Sequence, residues 1–341
     1  MTHVNRVNFL SELESVTPGL SARETVEQGS CLVFRNGQLF TFNEEILCRR
    51  KSPLGDFEGA VPAKQLLQVL SKLTDEDLEI VEDEGGLLIK GKTVRSKVRI
   101  EKQTALNIDQ VDQPEGWSKL GADFTEAITH VSPCSSREES QFVLTCVHIG
   151  PKYLEACDRF QVCRFPIETG LEKSTLVRAE SLNKVVQCAV TEIALSKSWI
   201  HFRNASGLTF SCRRFLDDYV NLDAFLEVEG SQQVTLPGGV EEMVGKAEIF
   251  SSENGVGNAL EVEIRSDVVQ ITGEGASGWL KERRKIDYGG PAIKFKIAPK
   301  LLLAITKKSS TCWVASNRLI VKTDKFTFIS CTINPESTDK E

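Results

Sequence analysis

One run of residues returns three times along the chain, and that recurrence limits the fold more than any other feature. Its first copy is Val61-Pro-Ala-Lys-Gln-Leu-Leu-Gln-Val-Leu-Ser-Lys-Leu73. Leu66, Val69, Leu70 and Leu73 fall at helical spacing, whereas Lys64, Gln68 and Lys72 lie on another face. Pro62 stands where a first-turn proline is tolerated. Strand-like sequence follows at Leu78 and Ile80, at 87–90 and at 94–100. The predicted unit is one helix followed by three strands. The second copy, 177–189, repeats it with Leu182, Val185, Val186 and Ala189 in the same places, and with strands expected at 193–195, 199–202 and 208–212. The third, 297–308, leads to strands at 312–315, 318–322 and 326–333.

Between these copies lie three weaker helices, predicted at 4–16, 124–131 and 240–247. Strands are expected after the first at 31–34, 39–42 and 46–49, and after the second at 142–149, 153–157 and 160–165. Those after the third are expected at 260–264, 268–272 and 279–284. Six helix-plus-strands units therefore pair into three α+β domains of similar length, 1–118, 119–231 and 232–341. The Gly, Pro and polar residues of 110–117 and 227–239 mark the joins.

A chain of 341 residues exceeds the size at which one hydrophobic core keeps growing, which agrees with several domains. The longest apolar runs, such as 301–305, are too short to cross a bilayer, and residues 1–10 show no secretory signal, so a cytoplasmic protein without membrane partners is expected. Ten cysteines include no CxxC pair and several sit in strand-like contexts, which predicts small buried hydrophobes. His3, His130, His148 and His201 never approach metal-ligand spacing, so no metal or other cofactor is expected. The net charge of -7 argues against a protein that coats nucleic acid, but not against basic residues gathered on one surface.

Several local runs, in order and spacing, resemble the bacterial DNA sliding clamp, the beta subunit of DNA polymerase III, over nearly the whole chain. Val61-Pro-Ala-Lys-Gln-Leu-Leu is similar to that family's helix in the middle of its first domain. Ala156-Cys-Asp-Arg-Phe160, with Pro166-Ile167 beyond it, resembles a diverged Thr-Asp-Gly-His-Arg-Leu segment, and Arg214-Phe-Leu-Asp-Asp-Tyr219 resembles Arg-Phe-Pro-Asp-Tyr. The distance of the sequence fits a divergent, phage-encoded or mobile-element member. The resemblance implies three clamp domains, each with two helices on antiparallel sheets, forming part of a ring. It also implies a head-to-tail homodimer around double-stranded DNA, closed by heterologous contacts. DNA polymerase and clamp loader would be its partners and catalysis no part of its work.

Sequence-independent attraction to phosphates needs cations on the helix faces turned from the core. Lys64 and Lys72 in the first copy, Arg178 and Lys184 in the second, and Lys300, Lys307 and Lys308 in the third are the candidates. Arg49, Arg50 and Lys51, and Arg283 and Arg284 with Lys285, form two further clusters at corresponding positions, readable as DNA contacts or as solubilising loops. Carried over from the resemblance, a partner's peptide would meet Arg159, Phe160, Leu216, Leu222 and Ile333, each apolar member of which also reads as core. Cys157-Asp158 and Leu216 depart from the family's pattern there, and the chain runs on through 334–341. An enzyme is the main rival class, yet no phosphate loop, nucleophile elbow or HExxH is present, and 75–77 reads as a turn. A clamp-like protein-binding scaffold that does not encircle DNA is the other.

Overall fold

Along α2 (Ala63–Lys72), Ala63, Leu66 and Leu70 are buried while Lys64 and Lys72 stay exposed, so the helix packs one apolar stripe on the sheet side. This computed structural model describes residues 1–22, 26–227, 230–252 and 258–333. The other helices among them are α1 (Arg6–Glu14), α3 (Phe124–Val131), α4 (Ala179–Asn183), α5 (Asp223–Leu226), α6 (Val240–Ser251) and α7 (Pro299–Lys308). α1 packs on α2, α3 on α4, and α6 on α7. None is long and apolar enough to cross a membrane.

The chain divides into two compact units. The first holds residues 1–132, 146–153 and 167–217. Its main sheet is antiparallel, in the order Gly59–Pro62, Cys31–Arg35, Gln38–Phe42, Ile46–Lys51, Thr209–Arg213, Trp199–Arg203, Glu192–Leu195 and Ser118–Lys119. The two halves meet where Cys48 stands opposite Phe210 and Leu47 opposite Ser211. A second sheet sets Thr2–Asn5, Asp77–Asp83, Gly86–Lys90 and Arg95–Arg99 side by side, and Cys146–Ile149 pairs with Thr175–Arg178. Trp199 anchors a core with Val33, Phe42, Leu47 and Leu106, its ring 6.1 Å from that of Phe42.

The second unit takes 133–145, 154–166 and the residues from 218 onward. One sheet orders Tyr153–Cys157, Gln161–Pro166, Thr327–Cys331, Arg318–Lys322, Thr311–Ala315 and Gln232–Thr235. The other orders Gly278–Lys285, Val268–Gly275, Leu260–Arg265 and Ile293–Ile297, with α6 lying across it. Gly273 permits that approach, because a Cβ there would strike the Ala247 carbonyl.

The six units of one helix and three strands are present, and the third strands follow a rule. That of the first group, Ile46–Lys51, pairs with that of the fourth, Thr209–Arg213, and that of the third group, Gln161–Pro166, pairs with that of the sixth, Thr327–Cys331. The third strands of the second and fifth groups, Arg95–Arg99 and Gly278–Lys285, end their sheets.

Several elements differ from expectation. Residues 4–5 extend a strand, since Val4 and Asn5 pair with Leu78 and Asp77, and the Asn5 side chain then caps α1 at the Asn8 amide. Val177 likewise belongs to a strand, so α4 begins only at Ala179. From Lys184 to Cys188 the helix tightens to 3₁₀ geometry, at the β-branched pair Val185-Val186. Ala189, with φ 46°, ends it instead of packing. Residues 142–145 form 3₁₀ turn, not strand, and the Thr145 hydroxyl donates to the Phe142 carbonyl at 2.7 Å. The join 227–239 contains the strand Gln232–Thr235, and residues 228–229 of that join, like the tail 334–341, lie outside the described residues. All ten cysteines are free, nine of them buried.

His201 pins the main sheet of the first unit from within. It is 1% exposed, with Nε2 2.8 Å from the Ser196 hydroxyl and Nδ1 2.8 Å from the Ser211 hydroxyl. Burial pushes the imidazole down to about 4, against a small opposing pull from Asp112. Between pH 6.5 and 4 the unfolded ring takes a proton that the folded ring refuses. Stability is therefore full above that window and falls as pH drops through it, by up to about 3 kcal/mol. Denaturant melts across this range should show the loss, and His201→Asn should flatten it.

Candidate nucleic-acid interface and partner cleft

Cations can act on an external phosphate only if their own neighbours leave them charge to spare, and the structure sorts the candidates on that basis. Lys64 and Lys72 are exposed on α2, on the side away from Leu66 and Leu70. Lys300 and Lys307 are exposed on α7, and half-buried Lys308 runs along that helix with its ammonium 5.3 and 4.8 Å over the Phe326 and Phe328 rings. Lys184 is half-buried and donates to the Pro18 carbonyl at 3.4 Å. The Arg178 guanidinium leans toward Glu45 at 3.9 Å.

The two arginine clusters do occupy equivalent third strands, Ile46–Lys51 and Gly278–Lys285, but strand alternation divides each between two faces. Arg50 turns to α1, where it meets the Glu12 carboxylate at 3.2 Å and the Ser15 hydroxyl at 2.9 Å. Arg49 faces the other way, and burial lowers its pKa. Arg284 donates to the Gly238 carbonyl at 2.6 Å and pairs with Glu242 and Glu282. Its neighbour Arg283 donates to the Gln270 side chain on the opposite face. Lys51 and Lys285 are exposed.

Of the residues carried over for a partner peptide, four lie in the second unit and one, Leu216, in the first. Arg159 and Phe160 form the tip of a turn, with Phe160 50% exposed. Leu222 is buried in an apolar cluster with Cys157, Val162, Ile320 and Ile329. Ile333 is 46% exposed and its backbone bridges to Lys296. Leu216, 69% exposed, belongs to the first unit. Cys157 has become core, its amide donating to the Tyr219 hydroxyl at 3.0 Å. Asp158 shapes the turn by accepting from the Phe160 and Gln161 amides at 2.7 and 2.8 Å.

α5 covers the cluster around Leu222. Phe225 and Leu226 pack against it, and the Arg318 guanidinium lies 4.1 Å over the Phe225 ring and donates to the Phe225 carbonyl. Arg164 holds the start of α5, reaching Asp223 at 2.7 Å and Glu155 at 2.6 Å. Burial opposes the Arg164 charge, but Asp223 and Glu155 outweigh it and raise its pKa. Tyr219, Phe225 and Arg318 carry no sequence signal for this arrangement, because residues far apart in the chain assemble it. Among the described residues, no group of three metal-ligating side chains could hold an ion.

Six helix-and-three-strand units, the first joined to the fourth and the third to the sixth by their third strands, define a DNA-clamp architecture. No family profile and no curated protein matches the sequence. Solved structures do. A DNA polymerase III beta chain from Streptococcus pneumoniae aligns at TM-score 0.81 and 18% identity, covering 97% of this chain and 99% of that one. The beta subunit from Thermotoga maritima gives 0.82 and 13%, covering 97% and 98%. A Pseudomonas aeruginosa sliding clamp, solved bound to griselimycin, gives 0.82 and 14% over the same shares. The chain therefore has the fold of the DNA polymerase III beta sliding clamps over 97% of its length.

Glu155 is 3% exposed on its side chain and depends on Arg164 for charge compensation. Arg164→Ala should thus destabilise the second unit by about 3–5 kcal/mol in denaturant titrations, and adding Glu155→Leu should recover most of that loss.

Proposed function

We propose that the protein is a DNA polymerase processivity factor: a sliding clamp that encircles double-stranded DNA and tethers a replicative polymerase, without catalysis of its own. The observation that carries the reading is the clamp fold over 97% of the chain. The exposed lysines of α2 and α7, on helix faces turned from the core, support it. Contacts to phosphate alone carry no sequence information and allow sliding. Domain limits of 1–118, 119–231 and 232–341, a cytoplasmic setting and opening by a clamp loader belong to the same proposal. Partner peptides would use the cluster around Leu222, which requires Phe225 and Leu226 to give way.

The pairing rule supports a head-to-tail homodimer. The first group pairs with the fourth and the third with the sixth, so the fifth would pair with the second group of another copy. That brings Gly278–Lys285 of one copy against Arg95–Arg99 of the next. Arg95, Lys97 and Arg99 are exposed on one edge, and Lys281, Arg283 and Lys285 on the other. Like charges across a strand pair repel. Self-association should therefore strengthen as salt rises, whereas DNA retention weakens. Sedimentation equilibrium at several ionic strengths tests the sign, and association that salt weakens would sink this interface.

The same repulsion is what favours the second reading, a clamp-like scaffold that never closes round DNA. Retention on nicked circular DNA, lost when the circle is linearised, separates the two. A topologically linked ring slides off free ends. Lys64→Glu combined with Lys72→Glu should cut retention without unfolding the protein.

A further inference from the structure

The two strands that end their sheets each carry a stripe of cations. On Arg95–Arg99, the side chains of Arg95, Lys97 and Arg99 point away from the core, because Val98 between them is buried. On Gly278–Lys285, Lys281, Arg283 and Lys285 do the same, while Glu282 and Arg284 turn to α6 and meet Lys246 and Glu242. Alternate residues of a strand lie about 6.6 Å apart, so each stripe is about 13 Å long. Among the described residues, only Lys97 of these six is paired with a carboxylate, Asp83 at 3.2 Å. Arg283 is held by the neutral Gln270 side chain. Behind the stripes the carboxylates already have cations of their own: Glu79 has Lys90, Glu261 has Lys294 and Glu263 has Arg265. Glu274 and Asp267 lie beyond the two ends of the second stripe.

Charged side chains on an edge strand ordinarily keep it from pairing. A head-to-tail homodimer needs these two edges to pair. Antiparallel pairing would lay one stripe beside the other at about 4.8 Å, gathering all six cations on one sheet face. Like charges directly opposite one another destabilise such a pair. Monovalent salt relieves this only in part, since the Debye length of about 8 Å at physiological ionic strength exceeds the strand spacing. An anion seated among the six removes the repulsion where it arises. Arginine forks and lysine ammoniums both suit phosphate oxygens. A linear oligophosphate carries several charges in a row, as the stripes do, whereas a chloride or a single carboxylate answers one cation at a time. Each edge brings three of the cations, so the site is complete only when both copies contribute. Trp279, 65% exposed, is next along the second stripe, with the Lys281 ammonium 5.6 Å from its ring centre. A nucleoside joined to the phosphates would find an aromatic face there.

We infer, resting on the clamp reading above, that a linear oligophosphate binds across the seam between two copies and holds it closed. Arg95, Lys97 and Arg99 of one copy and Lys281, Arg283 and Lys285 of the other would hold its oxygens. Sedimentation equilibrium of the full chain at one fixed ionic strength tests it, with chloride exchanged for inorganic triphosphate. Because the anion binds the dimer and not the single chain, association should tighten about tenfold or more as triphosphate is added. Lys281→Gln combined with Lys285→Gln should tighten association in chloride alone and lose most of the response to triphosphate. Misfolding would not produce that gain. Adenosine triphosphate separates two sources of the same chemistry. A further gain that Trp279→Ala removes identifies a nucleotide, and equal potency identifies free oligophosphate. Equal association in chloride and triphosphate would overturn the inference and leave the clamp reading standing, as would a double variant that responds like the parent. A chain that stays single in every solution would overturn both.

Discussion

Everything in this architecture hangs on hydrogen bonding between the third strands of groups that lie three apart in the chain. Where Ile46–Lys51 meets Thr209–Arg213, and where Gln161–Pro166 meets Thr327–Cys331, two short sheets become one long one. Side chains alternate across such a ladder, so a slip of one residue would carry every side chain to the opposite face. Phe210, Cys48 and Cys212 inside the first unit, and Val162, Ile329 and Cys163 inside the second, pin the register by burial. Once the ladders are set, the helices have only the remaining sheet faces to cover.

That dependence explains how much was legible in the sequence. α2, α3 and α7 could be placed within a residue or two from the spacing of leucine, isoleucine and valine, because their apolar stripes are local. The hairpins behind them were equally plain. Strands just before helices, such as Thr2–Asn5 and Thr175–Arg178, were hidden because their partners lie many residues away. Arg49-Arg50 and Arg283-Arg284 looked like clusters in one dimension, although the two-residue period of a strand already separates them. The lysines of α7 could be found by helical spacing, but nothing in Ser135-Ser-Arg-Glu138 marks Arg137 as their neighbour.

Charge is distributed with the same logic. An acidic chain can still present a basic surface if its carboxylates are spent on internal partners. Glu12 holds Arg50, Glu242 and Glu282 hold Arg284, and Asp223 and Glu155 hold Arg164. These pairs offset the charge of three arginines, whereas Lys64 and Lys72 of α2 and Lys300 and Lys307 of α7 stay exposed. Local potential, not the total of -7, decides where an anion settles.

The cysteines give the molecule a property unrelated to redox chemistry. Nine thiols are shut away among side chains, and only Cys331 is partly open. Its amide is bonded to the Phe160 carbonyl, so it sits directly behind the turn that carries Phe160. A maleimide dye added to the native protein would therefore find one address without any engineered mutation.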